Sequence, residues 1–167
     1  SIADNAGSTG VVNVTGGQLF STNNLSSIGK YGVGQMNVSG GTVVITNTSV
    51  GRHDSADGTL TVQSNGNFYA LDAVSIGRFV NSSGHVFVNG GLLSLTNDAL
   101  WVGRDGAGDL TVSGGTVRAA DLFVAMSEYG TNQPIGQVTF AGGTTLLSSN
   151  LVLGTSLIST GTVTMLD

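Results

Sequence analysis

Apolar and polar positions alternate in short bursts along this chain, and the bursts recur at a nearly fixed spacing. They read GVVNVTGGQL from Gly10, GQMNVSGGTV from Gly34, GTLTVQSNGNF from Gly58, GHVFVNGGLL from Gly84, GDLTVSGGTV from Gly108, GQVTFAGGTT from Gly136 and GTVTM from Gly161. Successive starts are 24, 24, 26, 24, 28 and 25 residues apart. A spacing held this well marks one structural unit repeated along an axis.

Each period contains three apolar segments. In the first, G-x-Φ-x-Φ, alternation sends Val12 and Val14, Met36 and Val38, Leu60 and Val62, Val86 and Val88, Leu110 and Val112, and Val138 and Phe140 to one side. The second follows the double glycine and aims Val43 and Ile45, Phe68 and Ala70, or Leu93 and Leu95 the same way. The third is Φ-x-Φ-G, as in Val74-Ser75-Ile76-Gly77, Leu100-Trp101-Val102-Gly103 and Leu151-Val152-Leu153-Gly154. Strands this short must pair with the next repeat to satisfy their backbone groups. The pattern therefore predicts an all-β fold, a right-handed parallel β-helix (β-solenoid) with three short strands per coil of about 24 residues. Residues 1–167 are expected to form one domain: a partial coil 1–9, repeats starting at 10, 34, 58, 84, 108 and 136, and a partial coil 161–167.

Length variation falls after the glycine of the third strand, in KYGV, RHDSAD, RFVNSS, RDGA, MSEYGTNQPI and TSLIST. One corner is thus expected to be a variable loop, because a solenoid can lengthen there without disturbing its coils. The only proline, Pro134, sits in the longest of these loops, where its missing N–H breaks no ladder. Ser64-Asn65-Gly66 replaces the double glycine of the third repeat and reads as one residue inserted at that corner.

Composition narrows the function classes. The chain has 27 glycines, one proline, no cysteine and 9% charged residues, which suits many tight turns and argues against helix. A net charge of -5 with five Lys and Arg in all disfavours nucleic acid as a partner. Without cysteine there is neither disulfide nor thiolate metal site. No stretch approaches the uninterrupted apolar length that a membrane span needs. The start at Ser1 without methionine predicts a processed product or an excerpt of something longer.

The pattern GxLTVSGGxV, clearest at Gly108–Val117, together with (N/D)xLxVGR from Asp98, resembles the short repeat of type V secretion autotransporter passengers and PEP-CTERM-associated surface proteins. The resemblance covers essentially the whole chain. It implies a β-helical fold, export across the envelope, an extracellular or bacterial cell-surface location, and a role in adhesion or display. Proteins carrying this repeat are mostly large, uncharacterised, exported surface proteins, so it specifies the fold more closely than the function.

Three columns hold the candidate chemistry. Asn24, Asn47, Asp72, Asp98, Asp121 and Asn150 stand before the third strand; we read them as a turn ladder in which Asn and Asp tolerate the left-handed region and stacked amides bond one another. Cation binding by Asp72, Asp98 and Asp121 is the weaker reading, since the GGxGxD nonapeptides of a calcium β-roll are absent. Lys30, Arg52, Arg78 and Arg104 directly follow the third strand's glycine and form a basic ladder, with Asp54, Asp57, Asp105 and Asp109 as expected counter-charges. That ladder reads as a solvated network, with an anionic-glycan contact as the alternative. The outward column Ser27, Ser49, Ser75, Trp101, Phe123, Val152 turns from hydroxyl to large apolar. Trp101, Phe123 and Val152 are the candidate interface, unless the loop Met126–Ile135 folds back over them.

Catalysis is not expected. The acids fall mostly one per corner, the two histidines, His53 and His85, lie at different positions of the repeat, and His85 reads as an ordinary outward side chain. Thr-x-Thr pairs of an ice-binding face occur only at Thr59-Leu60-Thr61 and Thr162-Val163-Thr164. The expected function is a structural or adhesive stalk or filament segment, with a glycan-binding module as alternative and a polysaccharide-active enzyme below that. No cofactor is expected. The expected partners are copies of the chain joined head to tail, or further repeats, with a cell-surface glycan as a second class.

Overall fold

In a computed structural model, which describes residues 1–128, 130 and 132–166, all regular structure is strand. The strands are β1 (Thr9–Ile28), β2 (Val33–Val50), β3 (Asp57–Gln63), β4 (Gly66–Ala70), β5 (Val74–Ile76), β6 (Ser83–Leu95), β7 (Leu100–Val102), β8 (Ala107–Ala119), β9 (Leu122–Val124), β10 (Ile135–Phe140), β11 (Thr144–Leu147), β12 (Leu151–Leu153) and β13 (Thr160–Met165). Tyr129 and Thr131 of the longest loop, and Asp167 of the last partial coil, lie outside the described residues. Every strand pairing is parallel. The result is a β-solenoid of six stacked coils with β13 as a further first strand.

The repeat glycines set the register. Gly10 pairs with Gly34, Gly34 with Gly58, Gly58 with Gly84, Gly84 with Gly108, Gly108 with Gly136 and Gly136 with Gly161. From Gly34 to Gly136, each sits where the end of the preceding coil's third strand passes closest. A Cβ built on Gly108 would lie 2.2 Å from Gly103 N and 2.6 Å from Ile76 O, so any side chain there would prise the corner apart. The glycine opening the first strand and the glycine closing the third are thus two halves of one contact.

Inward side chains fill one apolar core. Leu60, Val62, Phe68, Val74, Ile76, Val86, Val88, Leu93, Leu100, Val102, Leu110 and Val112 are all fully buried. Each contributes about 1.5–3 kcal/mol by leaving water. Repeat 3 takes up its extra residue as a turn at Ser64-Asn65 between β3 and β4, with Asn65 at φ +67°, while β6 bulges so that Asn89 and Gly90 both face Gln63.

The three sides of a coil are separate strands in the third and sixth coils and run together in the others. There β1 and β2 run unbroken through all three sides as strands of 20 and 18 residues, and β6 and β8 each join two sides. The corners of β1 are absorbed as register shifts at Val14/Thr15, Thr15/Gln18 and Ser21/Leu25, so parallel pairing survives bends that apolar spacing alone reads as breaks.

Candidate functional site

The variable-loop corner gathers four of the five cations and a stack of three rings. Lys30, Arg52 and Arg78 are each followed by a ring, and Tyr31, His53 and Phe79 stack across three coils with centroids 4.4 and 5.1 Å apart and planes within 14°. Lys30 lies 5.4 Å from the Tyr31 centroid and Arg78 5.2 Å from that of Phe79. Burial pushes the His53 imidazole below its ordinary pKa, and the charges of Arg52, Lys30 and Arg78 push the same way. His53 therefore serves this ladder as a flat neutral ring.

For Lys30 and Arg104 the expected counter-charges are not the ones used. Lys30 pairs with Asp4 at 2.9 Å and Arg104 with Glu128 at 3.0 Å, each partner belonging to an adjacent coil. Asp57 and Asp109 flank His85, and Asp105 is buried.

The third-strand column stacks in register as Ser27, Ser49, Ser75, Trp101, Phe123 and Val152. Its serines do not face water: Ser27, Ser49 and Ser75 are at most 2% exposed. The Arg104 guanidinium folds back over this column, donating to Ser75 Oγ at 3.3 Å and lying 4.9 Å from the Trp101 ring centroid. Phe123 stacks 4.4 Å from Trp101. Trp101 is therefore engaged by a cation and a ring of its own column, and Trp101, Phe123 and Val152 are half-buried. Glu128 of the long loop reaches this corner through Arg104.

The Asn/Asp column makes side-chain bonds between coils, though without the left-handed backbone assigned to it. The non-glycine residues with positive φ are Ala3, Ser55, Asn65, Asn81, Asn97 and Ala125, none of them a ladder member. Asn47 Nδ2 donates to Asp72 Oδ2 at 3.1 Å, and Asn150 Nδ2 to Asp121 Oδ1 at 2.8 Å. The Asn150 bond leads the causes that hold the Asp121 carboxyl below the usual range. Between these amide pairs two carboxyls meet. A hydrogen bond from Asp98 lowers the Asp72 pKa, while burial and that same contact raise Asp98. Among the described residues no three acidic or histidine side chains gather as a metal site.

This pair yields a signed prediction. The raised Asp98 pKa contributes stability present at low pH and lost as pH rises through its folded value, whereas the lowered Asp72 pKa contributes stability present at higher pH. Asp98→Asn supplies a permanent amide donor toward Asp72, as Asn47 and Asn150 do in their pairs. It is expected to stabilise the fold at pH 7 by about 0.5 kcal/mol, the scale of a partly exposed pair. The gain should fade as the pH is lowered and wild-type Asp98 protonates. Thermal unfolding of both proteins across that range measures it, and a gain that grows on acidification contradicts the shared-proton arrangement.

One grouping escaped the sequence reading. Ser83 Oγ lies 3.2 Å from His85 Nε2, and His85 Nδ1 lies 2.9 Å from Asp109 Oδ2, the connectivity of a nucleophile, base and acid. The spacing Ser-x-His places both on one face of β6, and Asp109 stands opposite His85 in β8. The signal was therefore readable from the glycine alignment. The Ser83 N–H is committed to Ala56 O at 2.8 Å and so is not free to hold an oxyanion, and the Asp57 carboxylate lies 3.9 Å from Nε2.

No protein-family model matches this chain, and no curated protein and no solved structure matches it. The fold and the geometry above are therefore the grounds for any functional reading.

Proposed function

We propose that this chain is a structural stalk or filament segment of an exported bacterial surface or secreted protein, related to autotransporter-passenger repeats, that supports adhesion or display without catalysing a reaction. The observation that carries the reading is the unbroken stack of parallel coils around one apolar core. Each coil adds to the one before by the same strand pairing, a geometry that a copy stacked head to tail or further repeats can extend. The polar columns support the reading as well, since their side chains mostly bond one another from coil to coil.

Sedimentation and electron microscopy at rising concentration test the proposal. Short rods are expected to lengthen in whole-molecule steps. A monodisperse monomer that degrades an acidic polysaccharide would replace the stalk with an enzyme.

A further inference from the structure

The corner after β7 departs from the aromatic ladder. Where Tyr31, His53 and Phe79 stack, the fourth coil has Asp105, only 2% exposed. Its Oδ1 accepts three hydrogen bonds, from Ser127 Oγ at 3.2 Å, Glu128 N at 3.0 Å and Asn132 Nδ2 at 3.0 Å. Its Oδ2 is buried with no hydrogen-bond partner among the described residues. The neighbouring cation is committed elsewhere, Arg104 being paired with Glu128. One carboxylate charge is thus buried without a counter-charge, an arrangement that is costly unless a cation joins it.

Asp105 also lines a cavity of about 580 Å³ beside the long loop. Asn81, Ser83, Asn132 and Gln133 contribute to the same wall, and no Lys, Arg or His lines it. These are hard oxygen donors with a single formal negative charge. No sulfur is available, and the described residues provide no cluster of histidines and acids. Such a set suits neither zinc nor copper. Magnesium prefers rigid octahedral geometry and retains its water, whereas calcium accepts irregular shells of neutral oxygens.

We propose that this cavity binds one calcium ion, held by the Asp105 carboxylate and completed by side-chain oxygens of Asn81, Ser83, Asn132 and Gln133. One charged ligand places the affinity at the weak end, about 10⁻⁴–10⁻³ M, typical of extracellular modules. The ion neutralises Asp105 and ties the long loop to the coil beneath it. Calcium would then rigidify the corner at which this solenoid carries its longest insertion.

The test is calorimetry and thermal unfolding of the intact chain, stripped with chelator and titrated with calcium chloride. One heat-producing site is expected, with a rise of about 3 °C in Tm at about 10 mM calcium and a smaller response to magnesium. Asp105→Asn keeps an acceptor oxygen for the loop and should abolish the response. Asp98→Asn, in the other acidic column, should keep it. Native protein showing neither heat nor a Tm shift overturns the proposal whatever the variants do. A response that survives Asp105→Asn, or that disappears in Asp98→Asn instead, places the ion elsewhere and equally overturns it.

Discussion

Leu110→Asp is expected to unfold the middle of the solenoid. Leu110 is fully buried on β8 between Val86 of one coil and Val138 of the next. A carboxylate there has no partner, and the lost packing adds to the cost of burying the charge. The expected penalty, above about 4 kcal/mol, is a large part of the 5–15 kcal/mol that holds a domain together. Each coil contacts mainly its neighbours, so the damage should spread to the coils on either side and broaden the transition. Thr61→Asp, on the outward face of β3, should cost no more than about 0.5 kcal/mol. Circular dichroism melts of the two variants decide the matter; matching melting temperatures would mean that inward and outward faces are misassigned.

That contrast rests on the part of the structure most legible in the sequence. Alternation along G-x-Φ-x-Φ names the buried face, and the repeated glycine fixes register, so Val86, Leu110 and Val138 could be placed in one column from sequence. What covers the opposite face could not be read. Ser75 alternates with two core residues and so points away from the core, yet it is buried because Arg104 lies back over it. Alternation gives the direction of a side chain and is silent about long flexible neighbours that settle on top of it.

The backbone of the Asn/Asp column departs from the left-handed expectation for a different reason. The connection from second to third strand varies in length, so Asp72 and Asp98 stand two residues before β5 and β7, while Asp121 and Asn150 stand one before β9 and β12. Their side chains still run from coil to coil, Asn47 to Asp72, Asp72 to Asp98 and Asn150 to Asp121. Ion pairing followed the same logic. In a solenoid the nearest acid to a cation is one coil away, so Lys30 finds Asp4 and Arg104 finds Glu128, although acids nearer in sequence were the natural expectation. The Asp105 corner was hidden because only the folded loop shows that one carboxylate oxygen is bonded and the other is not.

The glycine that closes the third strand offers the second large effect, with an internal control. Gly77 has φ +64°, and a Cβ there would lie 2.0 Å from Ala107 O, a backbone atom of the next coil. Gly154 occupies the same column with φ +62°, but an added Cβ would meet only Ser159 Oγ at 3.4 Å. The two share the left-handed backbone and differ in the coil beneath. Gly154→Ala should therefore cost about 1 kcal/mol, the penalty of the left-handed region alone. Gly77→Ala adds a clash with backbone that cannot turn aside, and should cost more than about 3 kcal/mol. Ala125 shows that the column tolerates a methyl where the next coil is looser. It sits at φ +57°, and in the coil that follows it a Cβ on Gly161 would find its nearest atom at 2.9 Å, against 2.1–2.3 Å for Gly34, Gly58, Gly84, Gly108 and Gly136. Urea unfolding of both variants separates the contributions: equal losses would mean that backbone conformation, not coil contact, selects glycine here. The same pair probes end-to-end stacking. If a second copy covers the last coil, Gly154→Ala should leave the monomer nearly unchanged yet block rod growth, because the methyl would then meet a neighbouring backbone as it does at Gly77.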